Sequence, residues 1–214
     1  MNKLSYFETE NIYALTGEDF SLGRTNLEVV RAMLAGGIRV IQYREKMKDA
    51  RAMYEECMEI RRLTREAGAL FLVNDHIDLA MAVDADGVHI GQSDLPPAVV
   101  RRLIGEDKVL GLSTHNPEEA REAETLGCID YIGVGPIFAT KTKADALQPI
   151  GYENLAAVRK AVSLPIVAIG GIKEAKVAEV LAQGASMTAI ISDIVAADDI
   201  EEKSRRLVMI GRND

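Results

Sequence analysis

Short apolar runs alternate with longer amphipathic segments along almost the whole chain. The runs have the continuous hydrophobicity of strands that are buried on both faces, and the segments between them have the 3.6-residue period of helices that pack on one side. The pattern predicts strands at residues 11–16, 39–44, 70–73, 88–90, 109–113, 131–134, 166–169 and 187–191. It predicts a helix after each strand, at residues 27–35, 49–67, 77–83, a segment ending at 104, 117–126, 153–162, 174–183 and 200–210.

Strands that alternate with helices indicate an α/β fold with a parallel sheet. Eight such units favour a closed (β/α)8 TIM barrel, because closure removes the two exposed edges of a long sheet. The alternative is an open doubly wound sheet, but the chain lacks the early glycine-rich fingerprint typical of that fold. We therefore expect one compact barrel domain over residues 1–214.

The alternation is interrupted once, after the sixth predicted strand. Residues 136–149 form the longest stretch without apolar periodicity, and they include several threonines and lysines. Polar loops of this length in compact domains are often lids over a site. We expect a mobile lid at residues 139–149.

The composition narrows the classes of partner. The net charge of −8 argues against a nucleic-acid surface, which needs a basic excess. Cys57 and Cys128 have neither disulfide-framework nor zinc spacing, so we expect two inert thiols in a reducing compartment. No apolar run is long enough to cross a membrane, and the first eleven residues lack a signal-peptide hydrophobic region. These features predict a cytoplasmic protein without a membrane partner, and they leave homo-oligomer formation open.

Polar side chains collect where the predicted strands end. In a barrel this face carries the active site, and the inventory of cations, hydroxyls and glycines is typical of anion binding. Glycines after strand seven and a serine after strand eight also favour a phosphate held on backbone amides. The residues concerned are Gln42, Arg44, Lys46, Asn74, Ser113, Thr114, His115, Thr140, Thr142, Lys143, Gly170, Gly171 and Ser192.

Two acids follow neighbouring strands, Asp75 after the third and Asp94 after the fourth. Each suits the N-cap of the next helix, where a carboxylate accepts from a free amide. A shared-proton dyad and a magnesium site beside a phosphorylated substrate are the other two readings. The basic residues nearby indicate a phosphorylated ligand, and this slightly favours the metal site over the N-cap.

The histidines are weaker candidates. His89 lies in the middle of a predicted strand, where a hydrogen-bonded interior histidine is expected. His115 ends a strand on the active face, but the sequence shows no obvious partner acid for it. No arrangement of serine, histidine and aspartate for nucleophilic catalysis presents itself.

Six segments resemble the thiamine-phosphate synthase family, in order and over nearly the whole chain. They are QYREK at residues 42–46, VND at 73–75, GVHIGQSDLP at 87–96, GLSTH at 111–115, GVGPIFATKTK at 133–143 and AIGGI at 168–172. The resemblance implies a (β/α)8 transferase that joins 4-amino-2-methyl-5-hydroxymethylpyrimidine diphosphate to a thiazole phosphate, carboxylated or plain. The products it implies are thiamine phosphate and diphosphate.

The resemblance also implies roles for individual residues. Magnesium would be held by Asp75 and Asp94. The catalytic groups around the departing diphosphate would be Arg44, Lys46, Ser113 and Lys143. The pyrimidine diphosphate would contact Gln42, Tyr43, Arg44, Glu45, Lys46, Asn74, Ser113 and Lys143. The thiazole phosphate would contact Thr140, Lys141, Thr142, Gly171, Ile191 and Ser192.

One departure from the family pattern is visible at Ala139, where the family commonly has proline. The change removes a rigid ring and no functional group, so we expect the activity to be kept. A related thiazole tautomerase would lack the metal acids and the lid lysine, which this chain has. A phosphometabolite sensor that keeps the fold without turnover is the remaining rival.

Overall fold

The computed structural model describes residues 3–140, 142 and 148–211. Within these ranges eight parallel strands form a closed barrel in sequence order, and the last strand pairs with the first. The strands are β1 (Ile12–Leu15), β2 (Val40–Tyr43), β3 (Leu70–Asn74), β4 (Gly87–Ile90), β5 (Val109–Thr114), β6 (Tyr131–Val134), β7 (Ile166–Ile169) and β8 (Met187–Ile190). The predicted barrel is confirmed, and the open sheet is wrong.

Helices surround the barrel in the predicted order, with additions at its two ends. They are α1 (Tyr6–Thr9), α2 (Asn26–Ala35), α3 (Ala50–Glu66), α4 (Ile77–Ala82), α5 (Pro97–Ile104), α6 (Pro117–Thr125), α7 (Gly151–Ala161), α8 (Val177–Ala182), α9 (Ser192–Val195) and α10 (Ile200–Met209). The short helices α1 and α9 were not predicted, because one turn of helix has no periodicity to detect. In the described ranges, no helix has both the length and the hydrophobicity to span a bilayer.

Two apolar layers follow from the alternation of side chains along each strand. Outward-facing residues pack against the helices in the larger core, and inward-facing residues fill the barrel. Phe7 of α1 lies against the amino-terminal end of the barrel, where its ring stacks on Tyr131 at a centroid distance of 4.6 Å. This end is therefore filled by side chains, and the polar groups are left to the carboxyl end.

Candidate active site

One cavity of about 430 Å³ lies at the carboxyl ends of the strands, and every strand contributes to its lining. This volume is in the range of small-molecule sites. The structure brings together twelve of the residues to which the family resemblance gives a role: Gln42, Arg44, Lys46, Asn74, Asp75, Asp94, Ser113, Thr140, Thr142, Gly171, Ile191 and Ser192. Thr114, His115 and Gly170 of the strand-end inventory also line the cavity. Lys141 and Lys143 lie outside the described residues, as does much of the predicted lid.

The end of β2 and the residues that follow it, residues 42–46, send alternate side chains to opposite sides of the barrel wall. Gln42, Arg44 and Lys46 line the cavity. Tyr43 and Glu45, which lie between them in sequence, are buried but do not line the cavity. A strand and its extended continuation have a period of two, which separates the five-residue motif into two sets. The structure thus gives no support to the predicted substrate contacts of Tyr43 and Glu45, which stay predictions.

The outward set belongs to a charged cluster beneath the loop. The Tyr43 hydroxyl donates to Glu56 Oε2 at 2.6 Å. Three carboxylates, those of Glu18, Glu45 and Glu56, lie close enough together to resemble a metal site. The ammonium of Lys48 already occupies the space between them, at 2.6 Å from Glu18 and 2.8 Å from Glu56, and the Asn26 amide donates to Glu45 and Glu56 at 3.2 Å. We therefore regard this cluster as support for the loop.

The cluster fixes the backbone that carries the two cavity cations. Glu45 Oε1 accepts from the amides of Lys46 at 2.7 Å and Met47 at 2.8 Å. Burial has the largest single effect and raises the pKa of Glu45, but the two amide bonds, the Asn26 side chain and the Lys48 charge together outweigh it, so the pKa lies below the ordinary value. On the other side, the amide of Arg44 donates to Thr16 Oγ1 at 2.8 Å. Arg44 and Lys46 thus stand on a rigid loop.

The two acids after β3 and β4 both line the cavity, and neither caps a helix. The following helices, α4 and α5, have no side-chain bond at their N-caps, so the cap reading is wrong for both acids. Asp75 Oδ2 accepts from Lys46 Nζ at 2.7 Å, and Asp94 Oδ2 accepts from the Gly91 amide at 2.7 Å. Asp75 also has a φ of 61°, a left-handed backbone conformation that aspartate tolerates better than most residues.

This donor set fits a magnesium ion. Each carboxylate has its Oδ2 in a contact described above, and no hydrogen bond or ion pair from another described residue reaches its Oδ1, which can act as a hard ligand beside the cavity. Magnesium is usually bound by one or two carboxylates together with substrate phosphates. Asp75 and Asp94 meet that requirement, whereas a shared-proton dyad would need a contact between them, and none is found in the described part of the chain.

The wall formed by β4 and β5 holds two histidines. His89 is hydrogen-bonded inside the barrel, as predicted, with Nδ1 at 2.9 Å from Tyr131 Oη and Nε2 at 2.9 Å from Ser113 Oγ. His115 does have a partner acid, since its Nδ1 lies 2.9 Å from Glu119 Oε2. The expectation of no partner was wrong, and the i to i+4 spacing at the start of α6 was the signal that would have found it.

The opposite wall is built from the loops after β6, β7 and β8. Gly171 has a φ of 66°, and a Cβ there would lie 2.5 Å from the carbonyl oxygen of Ala139. Glycine is therefore required where the two loops meet. Thr140 Oγ1 accepts from the amide of Thr142 at 3.2 Å, and Ser192 begins α9. The wall offers hydroxyls and backbone, and this is a surface typical of phosphate binding.

An ion-pair cluster fastens these loops to α10. Asp193 Oδ2 accepts from the Glu174 amide at 2.9 Å, which ties the loop after β8 to the loop after β7. Lys203 of α10 donates to Asp193 at 2.7 Å and to Glu174 at 2.9 Å. The cluster lies behind the cavity wall, so it positions that wall without lining the cavity.

The Glu174→Gln variant is expected to be less stable than wild-type protein near neutral pH, and this difference in the free energy of unfolding should shrink in acid. The Arg206 guanidinium and the Lys203 ammonium lower the pKa of Glu174 to about 2 from 4.5. A carboxylate with a depressed folded-state pKa stabilises the protein above its unfolded value, and this contribution disappears as the pH falls toward the folded value. Urea unfolding should show the full deficit near pH 6 and a shrinking one from about pH 5 downward. Glu106→Gln, at an exposed loop position, is the control, and a deficit of Glu174→Gln that is constant down to pH 3 would contradict the assignment.

Comparisons with known proteins agree with one another. The model of the family described as "Thiamine monophosphate synthase" matches residues 12–194. A protein of Pelotomaculum thermopropionicum named thiamine-phosphate synthase is 58% identical over 92% of this chain and 90% of its own length. A protein of Chloroflexus aurantiacus, also named thiamine-phosphate synthase, is 53% identical over 92% of this chain and 90% of its own length. The solved thiamine phosphate pyrophosphorylase of Pyrococcus furiosus superposes with a TM-score of 0.87 at 38% identity, over 95% of this chain and 96% of that one.

Proposed function

This chain belongs to the thiamine monophosphate synthase family, and we propose how its cavity carries out that family's reaction. The enzyme is a thiamine-phosphate synthase, a transferase that condenses 4-amino-2-methyl-5-hydroxymethylpyrimidine diphosphate with a thiazole phosphate. The observation that carries the mechanism is that one cavity has two polar walls of different composition. One wall has two cations and two carboxylates, and the other has hydroxyls and glycine backbone.

The pyrimidine diphosphate lies against the wall formed by β2, β3, β4 and β5. Arg44 and Lys46 face the diphosphate, where two fixed positive charges oppose the charge that grows on the leaving group. Lys143 is proposed as a third cation from the lid. Gln42, Asn74 and Ser113 are the polar groups that orient the pyrimidine ring.

Asp75 and Asp94 are proposed as the ligands of Mg²⁺, since no contact with another described residue occupies the Oδ1 atom of either carboxylate. When bound, the ion supplies a Lewis acid that neutralises diphosphate oxygens. Lys46 has a second task here, because its bond to Asp75 Oδ2 at 2.7 Å holds that carboxylate in place. The remaining oxygen of Asp75 is then directed by an ion pair rather than left free to rotate.

The thiazole phosphate lies against the other wall. Thr140, Thr142 and Ser192 offer hydroxyls to the phosphate, and Gly171 lets the backbone approach it closely. Ile191 gives the thiazole ring an apolar neighbour, and Lys141 is proposed to add a charge from the lid. The ring nitrogen is thereby held in the same cavity as the pyrimidine methylene carbon, so that positioning replaces a random encounter.

The chemistry needs little from the protein beyond charge and geometry. The bond between the methylene carbon and the diphosphate oxygen breaks, and its electron pair leaves with diphosphate. The aminopyrimidine ring delocalises the positive charge that remains on carbon. The lone pair of the thiazole nitrogen then forms the new carbon–nitrogen bond. Water would compete for the same carbon, so we propose that the lid over the cavity excludes it.

The proposed substrates indicate which partners and which compartment to expect. They are small phosphorylated molecules, and the net charge of −8 gives no basic surface for nucleic acid. We propose that the enzyme acts in the cytoplasm. Self-association into a homo-oligomer is left open.

The first test is product formation with and without magnesium. With both substrates and Mg²⁺, the purified protein should release diphosphate and thiamine phosphate in equal amounts. Excess chelator should lower the rate by about 100-fold or more, because the leaving group loses its Lewis acid. Absence of product under the complete conditions, with both ligands bound, would indicate a sensor instead of a synthase. An undiminished rate in chelator would contradict the metal assignment alone.

A further inference from the structure

A continuous chain of hydrogen bonds crosses the interior of the barrel, and all five of its side chains line the cavity. Gln42 Nε2 donates to Tyr13 Oη at 2.7 Å. Tyr13 Oη lies 2.9 Å from Tyr131 Oη, which lies 2.9 Å from His89 Nδ1. His89 Nε2 lies 2.9 Å from Ser113 Oγ. The two ends, Gln42 and Ser113, are the polar groups assigned above to the pyrimidine ring.

The strand glycines of β5 and β6 make room for this chain. A Cβ on Gly111 would overlap the ring of Tyr131, and a Cβ on Gly133 would lie 3.0 Å from Cε1 of His89. Glycine inside a strand weakens it and usually marks a close approach. Gly111 and Gly133 thus leave the space that the rings of Tyr131 and His89 occupy, at some cost to the stability of β5 and β6.

The hydrogen bonds can all be donated in one direction, from Gln42 toward Ser113. An amide nitrogen only donates, so Tyr13 accepts from it, and among the described residues Tyr131 Oη is the remaining hydrogen-bond partner for the hydrogen of Tyr13. Tyr131 in turn donates to His89 Nδ1, and the neutral imidazole then carries its hydrogen on Nε2 and donates to Ser113. The two phenols are buried, and burial raises the pKa of each above its ordinary value, so both keep the hydrogens that the chain needs.

We infer that Tyr13 and Tyr131, acting through His89, are positioning residues that fix which end of the pyrimidine site accepts a hydrogen bond and which end donates one. At one end the Nε2 bond to Tyr13 fixes the Gln42 amide in one orientation, and its carbonyl oxygen is then available to an amino group on the ligand. At the other end the Ser113 oxygen has accepted from His89 and offers its hydrogen, which suits a ring nitrogen or a phosphate oxygen. This inference rests on the proposed function and adds a source of specificity to it.

The test compares two non-reacting ligands that differ in one group. One is the 4-amino-2-methyl-5-hydroxymethylpyrimidine monophosphate, and the other has hydrogen in place of the 4-amino group. Their inhibition constants against thiamine phosphate formation give a discrimination ratio that does not depend on the chemical step. The wild-type ratio should favour the amino compound by more than 10-fold, because an unmatched polar group in a site is costly.

Tyr13→Phe and Tyr131→Phe should each reduce this ratio by about 5- to 10-fold. The first removes the acceptor of Gln42, and the second removes the acceptor that orients the Tyr13 hydroxyl, so that in both variants the Gln42 amide can turn over. Tyr6→Phe is the matched control, because it removes a hydroxyl that donates to the Gly68 carbonyl outside the chain of bonds. It should leave the ratio unchanged. Thermal unfolding of each variant separates loss of selectivity from loss of folded protein.

A double-mutant comparison tests the connection between the two ends. The Tyr131→Phe effect on the ratio should be at least 3-fold smaller when Ser113 is already alanine, because linked groups are not additive. Should a phenylalanine variant fail to fold, Gly133→Ala displaces His89 and should lower the ratio in the same way. A wild-type ratio near one, or a ratio unchanged in every folded variant, would overturn the inference while leaving the synthase activity intact.

Discussion

The Asp94→Asn variant is expected to lose about 100-fold or more in kcat/KM while its melting temperature changes little. The amide of asparagine keeps an oxygen that can accept from Gly91, so the local fold is preserved. It removes the negative charge, and a neutral amide is a much weaker ligand for magnesium. Asp75→Asn should behave alike, and asparagine also tolerates the φ of 61° at this position.

The control for this pair is Asp78→Asn, which removes one charge from the exposed first turn of α4. Steady-state diphosphate release and thermal unfolding should be measured together on each variant. A large fall in melting temperature with normal turnover per folded molecule would show that Asp94 and Asp75 have structural roles. Normal turnover with normal stability would remove them from the site altogether.

The Lys46→Met variant should lose about 100-fold in kcat with a change in stability below about 0.5 kcal/mol. The Lys46 side chain is 48% exposed and its ion pair with Asp75 is at the cavity surface, so the pair contributes little to folding. Its charge matters most when the diphosphate departs, which is a demand of the transition state rather than of the bound substrate.

Lys176→Met is the matched control, because Lys176 forms an exposed ion pair with Glu179 on α8. Full kinetic curves are needed to separate kcat from KM for the pyrimidine diphosphate. A higher KM with unchanged kcat would mean that Lys46 only binds the substrate. That outcome would contradict its proposed place beside the leaving group.

The barrel could be predicted because each unit repeats one strong local signal. Eight apolar runs with eight amphipathic segments leave few topologies, and the closed order of β1 to β8 is the one found. The site face followed from the fold, since residues just past the strand ends meet at one side. Elements of one turn, such as α1 and α9, were missed because they carry no period.

Residues 42–46, at the end of β2 and just after it, show most clearly what the sequence could not predict about the site. A family motif treats Gln42, Tyr43, Arg44, Glu45 and Lys46 as one unit, but the backbone sends alternate members to opposite sides. The strand period of two could have separated Tyr43 and Glu45 from the rest. Their burial in the cluster with Glu56 and Lys48 could not be foreseen, because it depends on how α3 packs against β2.

No local sequence pattern could have predicted the interior chain of hydrogen bonds. Tyr13 and Tyr131 are 118 residues apart, and only closure of the barrel brings their hydroxyls together. His89 was expected to be an ordinary hydrogen-bonded histidine, and it is one, but its partners connect it to the site. His115 shows the opposite case, since its partner Glu119 was four residues away and readable from helix spacing.

The most direct test of the account is whether Asp75 and Asp94 hold a divalent ion together with the diphosphate substrate. Electron paramagnetic resonance of Mn²⁺, titrated as a substitute for Mg²⁺ into the protein with the pyrimidine diphosphate, reports this without turnover. Wild-type protein should bind the ion only when the substrate is present, and the Asp75→Asn, Asp94→Asn double variant should not bind it. Equal binding by the double variant, or no binding by wild-type protein, would contradict the magnesium site on which the mechanism depends.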